Sequence, residues 1–297
     1  MRVLFATDGS EFSEGAARFL ARFHFSSDDQ VIIIHVISEI PYEDDYRAQV
    51  MHAIKRVAPK ILAASANILK PVRAKIATLE KEGYPDTTII ETAEETGADL
   101  IVMGARGVRG VKMLVLGSST RAVAINSPIP VLVVKQPPWN MSAKFKIVFA
   151  TDGSDAARAA GRLLASLPVG DDAEITVMHT SASVFSDIPE KYVRQMDKTI
   201  LQVPEGVAET ESRLGEAIVE EAKTYLSGRY QKIDSLIARG EPFREILRAE
   251  KNLQPDIVAV GCRGLRGIRG MMGSVSRRLL SHSASSVLIG KGCARAN

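Results

Sequence analysis

The chain has 297 residues, 38 of them basic and 35 acidic, a net charge of +3 and 45% hydrophobic content. This is ordinary globular composition with material for about two domains, and the near-balance of charge excludes a dedicated nucleic-acid binder, which carries a basic stripe without matching acids. Two cysteines, Cys262 and Cys293, exclude a disulfide framework. No apolar run approaches the ~18 residues of a membrane span, and the opening run meets Asp8 too early for a secretory leader, so a cytoplasmic protein is expected.

Met1–Ala6 reads as a buried strand ending in the polar turn Thr7-Asp8-Gly9-Ser10. An alanine-rich helical pattern runs from Ser13 to His24, followed by a strand over Val31–Val36, a charged helix over Asp45–Leu69 and a third strand over Val72–Ala77. Gly83 and Pro85 then mark a helix start, where proline's missing N–H costs nothing. The fourth strand, Leu100–Met103, runs into Gly104-Ala105-Arg106-Gly107; Gly117-Ser118-Ser119-Thr120 opens another helix, and Pro130–Val134 is the last strand.

The same words then return. Asp8 recurs as Asp152 and His35 as His179, both 144 positions on, while Gly83 recurs as Gly240, 157 positions on. The second copy therefore carries 13 additional residues, which fall within Ser181–Glu209 and are expected to form a loop or lid, or an insertion without function. The expected division is a first domain over 1–135, a linker over 136–143 stiffened by Pro137 and Pro138, and a second domain over 144–292. Strands alternating with helices predict a parallel sheet covered on both faces, formed twice, with ligands received outside the strand C-termini.

A strand that enters a helix through a glycine-bearing loop has phosphate-binding geometry, because a helix start offers unpaired N–H groups and glycine lets an anion approach the backbone. Ser118 and Ser119 are placed to cap that helix or to donate hydroxyls to the same anion. The plainer reading is a turn that only needs glycine. Arg106, Arg109 and Lys112, like Arg263, Arg266 and Arg269, either neutralise phosphates or form a solvated loop. Asp8 and Asp152 either bond a ribose hydroxyl or Mg²⁺, or close a turn with the following glycine. His35 and His179 read as hydrogen-bonded strand-end residues, and Cys262 as a small residue in a turn. His24, His52 and His282 show no metal spacing, Ser118 and Ser274 stand where a Walker lysine would follow the last glycine, and no catalytic residue is expected.

On these residues the chain resembles a tandem universal stress protein. The points of resemblance are the opening strand that ends in Asp-Gly-Ser, the Gly-x-Pro before the third helix, and the signature Gly-x2-Gly-x9-Gly-(Ser/Thr), matched by Gly104, Gly107, Gly117 and Ser118. The resemblance implies two tandem α/β domains, each a five-stranded parallel sheet of order 3-2-1-4-5 with helices on both faces, that bind ATP or AMP. It places backbone at Ala6, Thr7 and Val36 along the base, Asp8 on the adenine or ribose side, and the glycine loop with Arg106, Ser118 and Ser119 on the phosphates. The matching positions in the second half are Ala150, Thr151, Asp152, Gly261, Arg263, Gly264, Gly273, Ser274 and Val275, with eight residues rather than nine between Gly264 and Gly273. The expected protein is a nucleotide-dependent stress sensor or regulator, its halves packed through their last strands, that forms a homodimer and serves a regulatory protein partner. Two alternatives stand beside it: a slow Mg²⁺-dependent ATP hydrolase and a nucleotide-independent interaction scaffold.

Overall fold

The aliphatic runs form strands and the alanine-rich and charged stretches form helices, in a computed structural model that describes residues 1–38, 45–106, 116–135, 144–181, 192, 205–264 and 272–292. In the first half these are β1 (Arg2–Ala6), α1 (Glu11–Leu20), β2 (Gln30–Ser38), α2 (Asp45–Leu69), β3 (Lys75–Gly83), α3 (Pro85–Glu95), β4 (Leu100–Gly104), α4 (Ser118–Asn126) and β5 (Val131–Val134). The second half repeats them as β6 (Lys146–Ala150), α5 (Asp155–Ser166), β7 (Glu174–Ser181), α6 (Glu205–Leu226), β8 (Lys232–Arg239), α7 (Pro242–Leu253), β9 (Ile257–Gly261), α8 (Ser274–His282) and β10 (Ser286–Gly290). Among the described residues no helix is long and apolar enough to cross a membrane.

Pro85 and Pro242 occupy the first turn of α3 and α7, as their sequence context predicts. The third strand differs from the sequence expectation. Val72 still belongs to the turn that ends α2, its N–H bonded to the Leu69 carbonyl, and β3 starts only at Lys75. It then continues to Gly83, paired with β2 from Gln30↔Lys75 to Ser38↔Gly83. The sequence hides this because β3 alternates apolar with charged residues, as an outer strand with one wet face does. The 13-residue insertion falls between the end of β7 and Ile218: Gly9 faces Ile61 and Gly153 faces Ile218 in the same way, both glycines at φ +75°, so the longer offset is already in place there. Apart from Tyr192, residues 182–204 lie outside the described residues, and with them the expected lid.

Each half has the strand order 3-2-1-4-5, and the two halves join into one ten-stranded sheet, β3-β2-β1-β4-β5-β10-β9-β6-β7-β8. All pairings are parallel except the seam, where β5 and β10 run antiparallel through Leu132↔Leu288. The strands of the two halves thus point in opposite directions, so their C-terminal ends lie at opposite margins of the sheet. Alternate residues of each strand feed two cores: Val3 and Phe5 pack toward α1, α2, α5 and α6, while Leu4 and Ala6 pack toward α3, α4, α7 and α8.

The seam is more than a backbone ladder. Lys135, just past β5, donates to the Ser283 carbonyl (2.5 Å) and the Leu279 carbonyl (3.4 Å) at the end of α8. Lys291, just past β10, donates to the Ala124 carbonyl (2.7 Å) and the Ile125 carbonyl (3.2 Å) at the end of α4. Each lysine thus satisfies orphan carbonyls at the negative end of a helix from the other half. On the face of α1 and α5, Phe145 packs edge-on against Phe19 and Phe23 with ring centroids 5.5 Å apart in both pairs, and Arg22 bonds Asp256 at 2.7 Å.

Candidate functional site

β1 ends in hydrogen bonds rather than in an open turn. The Thr7 N–H continues the ladder to the Ile34 carbonyl at 2.9 Å, and the Thr7 carbonyl accepts from Nδ1 of His35 at 2.9 Å. A carbonyl only accepts, so Nδ1 carries the proton. The second half repeats this with Thr151, Met178 and His179 at 2.8 and 2.9 Å. Both histidines are buried, each bonded within its own half, but they lie inside their strands rather than at the end: β2 continues to Ser38 and β7 to Ser181.

The aspartates close Asx turns. Oδ1 of Asp8 accepts from the Ser10 N–H (3.1 Å) and hydroxyl (2.6 Å), and Oδ1 of Asp152 accepts from the Ser154 N–H (3.0 Å). Ser10 and Ser154 then cap α1 and α5, accepting from Ser13 N–H and Ala157 N–H, both at 3.3 Å. Here the halves diverge. In the first, Ser65 donates to Thr7 at 3.0 Å, Thr7 donates to Ser13 at 3.2 Å, and Ser13 donates to the Ser10 carbonyl at 2.9 Å, a buried hydroxyl relay beneath the turn. In the second, Ala222 and Ala157 take the places of Ser65 and Ser13, and the Ser154 hydroxyl turns instead to the Arg263 carbonyl at 3.1 Å.

That last bond ties the first-strand turn to the glycine loop. Asp152 comes closer still: a Cβ built on Gly264 would stand 2.5 Å from Asp152 Oδ2, so a side chain there would push this carboxylate aside. The aspartate and the glycine loop, 112 residues apart, therefore meet at the C-terminal margin of β6 and β9. In the first half Arg106 stands at the position of Arg263, its guanidinium 5.1 Å over the Phe12 ring. Gly107, Arg109, Lys112, Arg266, Arg269 and Cys293 lie outside the described residues.

The glycines divide into two kinds, a distinction that the two sequence readings, an anion's approach or a turn that only needs glycine, do not draw. A Cβ on Gly104 would lie 2.8 Å from the Phe12 carbonyl group, and one on Gly261 would lie 2.6 Å from the Ala157 nitrogen. These two glycines let the first turn of α1 or α5 pack directly on the strand end, so the space they free is filled by protein. Gly117 and Gly273 are different. Their dihedrals, φ −58° ψ 146° and φ −63° ψ 157°, suit any residue, and among the described residues a Cβ there would make ordinary contacts no closer than 3.5 Å.

The helix starts also need correction. Gly117 and Gly273 are themselves the N-caps, without a side-chain cap, and Ser118 and Ser274 are the first residues inside α4 and α8. Ser118 and Ser274 are exposed and Ser119 and Val275 half-buried, so the serine hydroxyls do not cap. The loops are instead pinned from below. The Gly117 N–H bonds the Ala105 carbonyl at 2.9 Å and the Thr120 hydroxyl bonds the Gly104 carbonyl at 2.9 Å. Gly273 and Ser276 do the same to the Cys262 carbonyl at 2.8 and 3.0 Å. Cys262 is buried beneath this bridge as a packing residue. Ala6 and Ala150 end β1 and β6, and Val36 lies half-buried two residues before the end of β2. Among the described residues no three His, Cys, Asp or Glu side chains converge as a metal cluster.

Fold and site together define a duplicated α/β protein in which each half brings the turn after its first strand and a glycine-capped helix start to the C-terminal ends of its strands. The sequence profile of the universal stress protein family matches residues 1–135 and again 145–291, and the chain belongs to that family. It is 36% identical over 133 residues to universal stress protein Sll1654 of Synechocystis, a match covering 44% of this chain and 83% of the relative. To universal stress protein MJ0531 of Methanocaldococcus jannaschii it is 33% identical over 141 residues, covering 46% and 82%. A universal stress protein crystal structure from Archaeoglobus fulgidus has the same tandem extent, with a TM-score of 0.64 over 98% of both chains at 20% identity.

Proposed function

We propose that each half holds an adenine nucleotide, ATP or AMP, at the C-terminal margin of its strands, and that occupancy of the two sites makes the chain a sensor or regulator in a stress response. The observation that carries this reading is the pair Gly117 and Gly273. Neither backbone dihedrals nor packing against the described residues requires glycine there, yet each stands at the N-terminus of a helix, where the orphan N–H groups of the first turn and the helix dipole favour an anion. A side chain would stand where a phosphate approaches. Asp8 and Asp152 supply carboxylate oxygens at the same margin, and Asp152 Oδ2 lies against the Gly264 backbone.

The test is to denature freshly purified protein and to identify and count the small molecules released. Between one and two adenine nucleotides per chain supports the reading, and loss of one equivalent on Gly117→Val assigns it to the first half. If none is released and titrated ATP and AMP both fail to bind, the chain is better read as an interaction scaffold. A homodimer would have to form away from β5, because that edge is already covered by β10.

A further inference from the structure

A cleft of about 850 Å³ opens between the halves on the face of α1 and α5, with Met1 and Asp99 on one wall and Leu163 and Ser166 on the other. The internal two-fold shows what this cleft corresponds to, because the equivalent place across the axis is filled by the chain itself. There Arg22, its side chain only 4% exposed, donates to Asp256 Oδ1 at 2.7 Å. Its guanidinium lies 4.0 Å from the Phe145 ring centroid and 5.5 Å from that of Phe19. The repeat offsets put Ser166 at the position of Arg22, Asp99 at that of Asp256, Met1 at that of Phe145 and Leu163 at that of Phe19. All four line the cleft.

The two aspartates make the same strand-start bond, Asp256 at 13% exposure beneath Arg22 and Asp99 exposed in the open cleft. Asp256 Oδ2 accepts the Lys146 N–H at 2.9 Å and Asp99 Oδ2 accepts the Arg2 N–H at 2.7 Å, each at the start of its half's first strand. This leaves Oδ1 for a cation. In Asp256 it takes Arg22; among the described residues no cationic side chain pairs with Asp99. Two of the cations along the wall are otherwise engaged, the Met1 ammonium with Asp29 at 2.5 Å and the Lys291 ammonium with the α4 carbonyls, while Arg229 stands exposed at the rim.

We propose that this cleft binds a guanidinium group, set on Asp99 and against Met1 and Leu163 as Arg22 is set on Asp256 and against Phe145 and Phe19. A guanidinium suits the place better than an ammonium, because it is planar and weakly hydrated and so tolerates an apolar wall while its edge meets a carboxylate. With methionine and leucine in place of two aromatic rings, the cation–π contribution is absent and binding is weaker than in the filled copy. The group comes either from a free small molecule or from Arg295, four residues beyond the lining residue Lys291.

The experiment is calorimetric titration of the full chain with agmatine, with butylamine as the amine control. Agmatine binds with unit stoichiometry and at least tenfold tighter than butylamine. Asp99→Asn, which keeps an acceptor for the Arg2 N–H, weakens it at least tenfold. Ser166→Arg abolishes it and raises the melting temperature by filling the cleft from within. Tighter agmatine binding in Arg295→Ala than in the parent chain identifies the chain's own arginine as the occupant; equal binding identifies a free ligand. Agmatine no tighter than butylamine, or unaffected by both Asp99→Asn and Ser166→Arg, overturns the proposal.

Discussion

Lys135 and Lys291 exchange helix ends: each leaves the last strand of its own half and bonds the terminal carbonyls of the helix that begins at the other half's glycine loop. Burial pulls the Lys135 ammonium down to about 8 from its ordinary 10.5, against the nearby Glu250 carboxylate and with a smaller push from Arg106. Below pH 8 both folded and unfolded chains carry this proton. Between about 8 and 10.5 the folded chain releases it while the unfolded chain keeps it, so this group's contribution to stability rises with pH there, by at most ~1.4 kcal/mol per unit. Urea midpoints at pH 7.5 and pH 10 should therefore rise in the parent relative to Lys135→Met. Parallel pH profiles would show that the ammonium is not buried at the seam.

The two kinds of glycine predict opposite phenotypes. Gly104→Ala drives a methyl into the Phe12 backbone and should cost about 1–3 kcal/mol of stability. Gly117→Ala has room, loses only a cap preference and should cost under about 1 kcal/mol. Its effect should appear instead as weakened nucleotide binding. Chemical denaturation and nucleotide titration on the same two variants separate the roles, and equal destabilisation would remove the distinction.

Arg22→Ala leaves the Asp256 carboxylate, 13% exposed, without its guanidinium beneath the Phe145 ring. Stranding one member of a buried pair costs about 3–5 kcal/mol. Adding Asp256→Asn should recover part of that loss, because the residual charge goes with it. A double variant no more stable than Arg22→Ala alone would locate the cost in lost packing of the arginine stem.

The hydroxyl relay provides its own control. Ser65→Ala should lower stability by about 1 kcal/mol and speed amide exchange at the end of β1, with β6 unaffected because Ala222 already occupies that position. Equal exchange changes in both halves would argue against a local relay.

The duplicated strands and helices were legible because the words recur in register, and the strand order came with the family resemblance. The third strand was legible but its bounds were not, since Lys75, Glu80, Lys81 and Glu82 interrupt its apolar run. At the site, the spacing of the glycines could be read but not their purpose: Gly104 and Gly117 look alike in sequence, and only three-dimensional contact separates a glycine crowded by Phe12 from one with room to spare. The Arg22–Asp256 pair joins residues 234 positions apart in different halves, beyond any local pattern. Its single sequence trace is the mismatch of Arg22 with Ser166 at equivalent positions.

The antiparallel join of β5 to β10 has a genetic consequence. When a two-fold axis relates two copies of one gene product, every substitution appears on both sides at once, and a change that helps one side must be tolerated by its mirror. Here both sides of the axis are encoded separately and held together at a concentration that dilution cannot lower. Arginine could therefore be kept on one side and serine on the other, and serines could remain under one turn while alanines settled under its twin. A single chain therefore lets its two halves differ residue by residue while their seam stays joined.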